Sequence, residues 1–372
     1  MGGVTRKLKV GLIGAHAWAD KAHLPGLVAH PGVDLVAICD TDRARAEAAA
    51  AKFGAGAVYT DCREMLADPS IEMIDVCTPT ATHLPLSLAA IDARKHVLSE
   101  KPLHTQAAPA FEAAARAKAN GVRTKLGFTF RYSPAIRRLQ EWVASGELGE
   151  IFHIHGFEQN SQFLDPDFEL RQFDVTSPRD RLIPASIVGY GSHLIDLMRW
   201  IGGEFDSVVS TMSNYVPERL IRGLEGRQRF QVEDGTVALV EYAGGTQGML
   251  QTSYVAVGNY PGVEIRVYGS KGAAVARLIS EYGVAETLHR AAADSVEFAK
   301  VELGDDVLPP GTTLATPWPE LYYRNLIRYF TDEILEGRPE ECTFYDGAKS
   351  QEIVDAIVRA HAERRWVKVG AA

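Results

Sequence analysis

Short apolar runs alternate with amphipathic, alanine-rich stretches through the first third of the chain. Lys9–Gly14 is an apolar run ending in glycine, and a helix-like stretch follows from about Ala19. Val33–Asp40 is a second run that closes on an acid, and Arg43–Phe53 reads as an alanine-rich helix. Glu72–Cys77 is a third strand, followed by the turn Thr78-Pro79-Thr80 and a helix from about His83. His96-Val97-Leu98, a helix from about Ala107 to Asn120, and Thr124–Gly127 continue the series. Strands that alternate with helical stretches of ten or more residues predict βαβ units, hence an α/β fold with a doubly wound parallel sheet. The pattern then changes. Ile151–Glu158, Ser207–Tyr215, Thr236–Tyr242, Thr246–Tyr254 and Val263–Tyr268 all read as strands, and no long crossover helix separates the later ones. Gly244-Gly245 joins two of them as a hairpin. The second part is therefore expected to carry a mostly antiparallel sheet. The expected boundary leaves residues 1–128 in one domain and 129–372 in another.

In a parallel sheet of this kind the first strand–helix turn is a phosphate site, because glycines let a pyrophosphate approach the backbone at a helix N-terminus. Against the template G-x-G-x-x-G/A, this turn runs Gly14-Ala15-His16-Ala17-Trp18-Ala19. The first glycine and the final small residue match. His16 replaces the middle glycine, so its side chain must either point away from the phosphates or touch them. Asp40 ends the second strand, where an acid accepts hydrogen bonds from an adenosine ribose and repels a 2′-phosphate. NAD is the expected cofactor, and Arg43 and Arg45 nearby keep NADP possible. The alternative role for Asp40 is to cap the next helix together with Asp42. Glu100-Lys101-Pro102 follows the apolar Val97-Leu98. Lys101 thus sits just past a strand's carboxyl end, where ligands of open α/β sheets bind. Glu100 can hold its ammonium by charge, and Pro102 fixes the exit of the backbone. Beside a dinucleotide, such a lysine can bond a substrate hydroxyl and ease its deprotonation. The competing reading is a surface lysine in a salt bridge.

Composition narrows the partners. The 372 residues carry a formal net charge of −9, which gives no electrostatic footprint for nucleic acid. No apolar run approaches the roughly 18 residues of a membrane span, and the expected setting is cytoplasmic. Cys39, Cys62, Cys77 and Cys342 form no CxxC pair, which suits a reducing compartment. The histidines and acids show no trusted metal-ligand spacing, so no metal is expected.

Taken together, these motifs resemble the glucose–fructose oxidoreductase/inositol dehydrogenase (Gfo/Idh/MocA) family over nearly the whole chain. The residues that carry the likeness begin with the Gly14 turn, Asp40, Thr78-Pro79-Thr80 with His83, and Lys95–Pro102. They continue with Gly127–Pro134, Gly146–Ile151, Gly191–Asp196 and Glu336–Pro339. The resemblance implies a Rossmann domain that binds NAD or NADP, then an α/β domain with a large open sheet that binds substrate. One face of an open sheet needs cover, and the family covers it by pairing subunits, so a homodimer or homotetramer is expected. The implied cofactor contacts are Gly14, Ala15, His16, Trp18, Asp40, Thr41, Thr78, Pro79, Thr80, His83, Glu100, Lys101 and Arg131. An interdomain ion pair is the other reading of Arg131, and core packing that of Trp18. The implied catalytic pair is Lys101 with His193 as general base, acting on a sugar, sugar derivative or cyclitol hydroxyl. A packing histidine is the plainer reading of His193.

Two departures stand out. Many family members carry an aspartate four residues before the histidine, and here that position is Gly189. Glu158 and Asp174 are candidate substitutes, whereas Asp196 is expected to anchor the helix that His193 opens, His193–Trp200. The segment Ala17–Pro25 is similar to a regulatory branch of the family that keeps the fold and the dinucleotide. Phe157, Phe163, Phe168 and Tyr190 are candidates for the floor of a sugar pocket. The sequence is compatible with three functions: a dehydrogenase, a dinucleotide-binding sensor or transcriptional co-regulator without turnover, and a glycoside-cleaving enzyme with transient internal redox.

Overall fold

The computed structural model describes residues 6–165, 167–169, 182–258, 262–279 and 286–370. The chain divides into two compact units, Met1–Ser133 with Asp305–Gln351, and Pro134–Gly304 with Glu352–Ala372. The break thus falls at Ser133 rather than after residue 128, and a late segment adds to the first unit.

The first unit opens with six parallel strands, β1 (Leu8–Ile13), β2 (Val33–Cys39), β3 (Ala57–Tyr59), β4 (Met73–Val76), β5 (His96–Ser99) and β6 (Thr124–Leu126). Their order is β3-β2-β1-β4-β5-β6. Between them run α1 (Leu24–Ala29), α2 (Arg43–Phe53), α3 (Cys62–Ala67), α4 (Thr80–Asp92) and α5 (Ala107–Asn120). This is the doubly wound sheet expected. The turn of helix before α1, Ala19–His23, is π-wound, and such local widening is frequent at functional sites. Strands β1, β4 and β5 are buried on both faces apart from the exposed Lys9 and the half-buried His96, and are mostly apolar, as parallel strands are. Asp75 in β4 breaks that pattern with no exposure at all.

The second unit begins with α6 (Pro134–Ala144), β7 (Ile151–Gln159) and α7 (Gly191–Gly202). It continues with β8 (Phe205–Ser213), β9 (Glu218–Leu220), β10 (Arg227–Arg229), β11 (Gly235–Tyr242), β12 (Gln247–Ser253), β13 (Gly262–Gly269), β14 (Gly272–Ile279), β15 (Thr287–Ala292) and β16 (Ala299–Val301). Helices α8 (Trp318–Glu336) and α9 (Phe344–Glu363) and the short β17 (Val367–Lys368) follow, and the division between units falls inside α9. The large sheet has nine strands in the order β16-β15-β14-β13-β7-β12-β11-β8-β17. Only β12 and β7 pair in parallel; every other pairing is antiparallel. The Gly244-Gly245 hairpin forms between β11 and β12, with Gly245 at φ +90°.

Strand β8 ends two residues before the expected Tyr215. The reason is local: the Tyr215 and Val216 backbone N–H groups donate to the Asp234 carboxylate at 2.9 Å, which takes the chain out of the ladder. Helix α4 starts at Thr80 rather than His83, because Thr82 bonds back to the Thr78 hydroxyl and the Pro79 carbonyl at 2.8 Å. Helix α8 joins the first unit by packing on α1, where Gly26 lets the Tyr323 backbone approach so closely that a Cβ would stand 3.2 Å from it.

Candidate active site

The carboxyl ends of β1, β2, β4 and β5 all reach one edge of the parallel sheet, and the expected cofactor residues of the first unit gather there. Gly14 has φ +97°, and a Cβ on it would collide with the Cys77 carbonyl and with Thr78. Its N–H donates to the Cys39 carbonyl at 2.8 Å, tying the first turn to the end of β2. Asp40 is buried there. Its carboxylate accepts the N–H of Ala15 at 2.9 Å and of Asp42 at 2.9 Å. Burial pushes the Asp40 carboxyl up, but these two N–H groups and the Arg45 guanidinium outweigh it and hold it below the usual range. An ionised acid at this point fits a ribose hydroxyl. Asp42, not Asp40, caps α2, accepting from the Arg45 backbone at 3.2 Å. Arg45 binds Asp40 at 3.0 Å and Asp42 at 3.1 Å, and its guanidinium also meets the His16 ring at 2.8 Å. His16 is exposed and turned toward Arg45, which answers how a side chain is accommodated at the glycine position. Thr41, Pro79 and Thr80 are exposed at the same edge, and Thr78 is half-buried.

Lys101 follows β5 at this edge. Its backbone N–H donates to Glu100 Oε2 at 3.0 Å, and the Lys101–Pro102 peptide is cis. Glu100 does more than face the lysine charge. Its Oε1 takes the Trp18 indole N–H at 3.2 Å, the His23 ring at 3.2 Å and the Tyr323 hydroxyl. Trp18, expected near the cofactor, is thereby held against Glu100, with Trp318 at 5.8 Å and Tyr323 at 5.9 Å. His83 is buried, and its two ring nitrogens reach the Thr78 and Pro102 carbonyls at 2.7 Å each. It braces the turn after β4 against the Lys101 loop. Arg131 is almost wholly buried and pairs with Asp346 at 3.3 Å, within the same unit. His23, Asp75 and Tyr323 were not picked out from sequence. An aspartate inside the apolar strand Met73–Val76 was the available signal for Asp75.

In the second unit, α7 begins at Gly191 and buries His193 in its first turn. Asp196 is fully buried on the same helix. The Ser192 hydroxyl caps back to the Gly189 carbonyl at 2.9 Å. Gly189 itself faces Tyr254, whose hydroxyl accepts the Tyr190 N–H at 3.3 Å and would clash with any Cβ at position 189. Burial pushes the Tyr254 phenol well up, and the charge of Glu158 adds to this. Glu158 is buried on β7 and accepts the Asn160 amide at 3.0 Å. Asp174 lies outside the described residues. Phe163 lies 4.7 Å from Tyr254 and 5.8 Å from Phe168, with Tyr190 6.4 Å from Tyr254, so these aromatics form one cluster. Phe157 alternates with Glu158 on β7 and lies under Arg266 on the opposite face, away from that cluster.

Gly189→Asp, which introduces the carboxylate expected from the family resemblance, forces Tyr254 aside. Overpacking of this kind costs roughly 1–3 kcal/mol, and a buried charge adds to it. The variant is expected to lower the urea midpoint without raising turnover, and Gly189→Asp with Tyr254→Phe to recover part of the stability. Full stability in the single variant would remove Tyr254 as the obstacle.

Comparison with known proteins fits this arrangement. Residues 8–128 match the model described as oxidoreductase family, NAD-binding Rossmann fold, and residues 136–275 match the GFO/IDH/MocA C-terminal domain. The chain belongs to the Gfo/Idh/MocA oxidoreductase family. As a member it is an NAD-binding oxidoreductase. Levoglucosan dehydrogenase of Pseudarthrobacter phenanthrenivorans is 26% identical over 98% of both chains. Inositol 2-dehydrogenase of Acidothermus cellulolyticus is 32% identical over 60% of this chain and 58% of its own. A solved levoglucosan dehydrogenase in complex with NADH and levoglucosan superimposes with a TM-score of 0.84 at 25% identity, covering 98% of this chain and 100% of that one. Among the described residues no helix is long and apolar enough to cross a membrane, and no group of three His, Cys, Asp or Glu side chains is placed to hold a metal.

Proposed function

We propose that this family member oxidises a secondary alcohol of a sugar, sugar derivative or cyclitol with NAD, and that Lys101 and His193 share the proton transfer. The observation that carries the reading is Lys101 itself, fixed just past β5 at the sheet edge that also presents Gly14 and Asp40. Two similar proteins are named as dehydrogenases of levoglucosan and inositol, which supports the substrate class. Gly14, Ala15 and Thr78–Thr80 would hold the dinucleotide, with Asp40 on the ribose. Bound NAD supplies the acceptor for the hydrogen on carbon. The chain's own part is to orient the alcohol and take its proton: Lys101 bonds the hydroxyl oxygen, and His193 receives the proton. The test incubates the protein with NAD and, separately, NADP over a panel of sugars, sugar acids and cyclitols, following nicotinamide absorbance. Reduction with NAD and at least one panel member is the expected result.

Gly189 favours a second reading, a sensor that binds the dinucleotide without turnover. Tight NAD binding with no reduction on any panel member would select it. Aglycone release without net NADH would select transient internal redox instead.

The outward face of β11 presents Val237 and Leu239 to solvent at 40% and 49% exposure. Pairing of two copies through this face is the proposed assembly. Leu239→Lys is expected to shift the mass measured by light scattering toward the single chain. A wild-type protein already monomeric at micromolar concentration would refute it.

A further inference from the structure

Beneath Lys101 the first unit buries a carboxylate–imidazole–carboxylate series that the proton transfer proposed above does not use. His23 Nδ1 stands 2.9 Å from Asp75, and Nε2 stands 3.2 Å from Glu100. His23 and Asp75 side chains have no exposure, whereas that of Glu100 is 14% exposed. The Tyr323 ring lies 4.3 Å from the imidazole. Gly127 leaves room for the Glu100 carboxylate, since a Cβ there would stand 2.8 Å from Oε1.

We propose that His23 is a positioning residue for Lys101, acting through Glu100. Three donors from distant parts of the chain converge on Glu100 Oε1: the Trp18 indole, the His23 ring and the Tyr323 hydroxyl. They leave Oε2 for the Lys101 backbone N–H. The imidazole thus links β4, through Asp75, to the residue that sets the Lys101 loop. The inference rests on the reading of Lys101 as an active-site group, but its test needs neither NAD nor a sugar.

The charged and titratable groups facing His23 come from three places: Asp75 in β4 with Cys77 just after it, Glu100 after β5, and Tyr323 on α8; Lys101 and His83 in turn act by charge on Glu100. Burial pushes the His23 ring down, but Asp75 and then Cys77 outweigh it, so the ring stays well above its usual range. Burial pushes the Asp75 carboxyl up, and the charge and hydrogen bond of His23 pull it back. Burial also pushes Glu100 up, but the hydrogen bond and charge of His23, then the charges of Lys101 and His83, bring it below the usual range. A raised imidazole remains cationic above pH 6.5, and a lowered carboxyl remains ionised into mild acid.

The experiment is nitrogen-15 and proton NMR on the cofactor-free protein. In wild type, both His23 ring nitrogens are expected to be protonated at pH 7.5. The Lys101 amide is expected to lie downfield and hold its position into mild acid. A His23 ring without a proton on Nε2 at pH 7.5 overturns the proposal whether or not any variant folds, because Glu100 would then lose that donor. Two variants separate the arms of the imidazole. His23→Gln keeps an amide donor near the Nε2 position and so toward Glu100; His23→Asn keeps one near Nδ1 and so toward Asp75. With Asn, the titration seen at the Lys101 amide is expected to move up by about one pH unit, a tenfold change in proton affinity. With Gln, the downfield amide position is retained. A folded Asn variant whose Lys101 amide behaves as wild type overturns the proposal. If the Asn variant fails to fold, Asp75→Asn takes its place, and the same upward move is expected as His23 loses its proton. Failure of the dehydrogenase reading would show separately, as no reduction on the sugar panel with these signals intact.

Discussion

Lys101→Ala is expected to lower turnover by about 10²–10⁴-fold on whichever panel substrate the wild type reduces NAD with. That range corresponds to roughly 3–5 kcal/mol of transition-state stabilisation. NAD affinity, followed by protein fluorescence, is expected to change by no more than about threefold, because only the side chain is lost. The backbone tether of residue 101 survives this substitution. The contact that fixes residue 101 on Glu100 runs through its backbone N–H, which alanine keeps. Glu100 also keeps Trp18, His23 and Tyr323, so no buried carboxylate is stranded. A surface salt bridge predicts a different outcome: loss of well under 1 kcal/mol of stability and unchanged kcat. A variant with wild-type kcat would therefore remove Lys101 from the chemistry and return it to that plainer role.

The first unit was legible from sequence because both of its signals are local. Parallel strands buried on two faces are plain apolar runs, and the turns between them carry glycine or an acid at fixed places. Gly14 and Asp40 were found that way, and the structure explains both, one by a close approach to Cys77 and the other by the Ala15 N–H. The His16 substitution was visible, but its resolution was not, since Arg45 reaches it from the next helix. Glu100 was noticed for its charge beside Lys101. Its three further donors come from residues 18, 23 and 323, and no spacing along the chain announces such a meeting. Helices α3, α6, α8 and α9 were not read as elements. The return of Asp305–Gln351 to the first unit was missed for the same reason, because α8 belongs with α1 through contacts nearly three hundred residues apart. At Gly189 sequence showed a missing carboxylate, and only the fold shows Tyr254 in its place.

Glu333→Ala is expected to destabilise the protein by about 3–5 kcal/mol, read as a lower urea midpoint, because it strands a buried lysine. Lys125 has no exposure in the middle of β6, between the rings of Tyr132 and Phe330 at 5.8 and 5.5 Å. Its ammonium donates to Glu333 at 2.5 Å and to the Glu341 carbonyl at 2.6 Å. The pair thus fastens α8 and the approach to α9 onto β6, the attachment that brings Asp305–Gln351 into the first unit. Desolvation rather than attraction dominates at the acid: burial pushes Glu333 up to about 7, although Lys125 pulls it back. A carboxyl raised on folding gives stability that is full below its ordinary value near 4.5 and is lost as pH climbs through about 7. The wild-type midpoint is therefore expected to fall between pH 5 and pH 8 by this contribution. Lys125→Met with Glu333→Leu removes both charges at similar volume. Such exchanges are often neutral or stabilising, so the double variant is expected to stand well above Glu333→Ala and to lose this pH dependence. A double variant as unstable as the single one would mean that packing of these side chains, not the stranded charge, holds the late segment to the sheet.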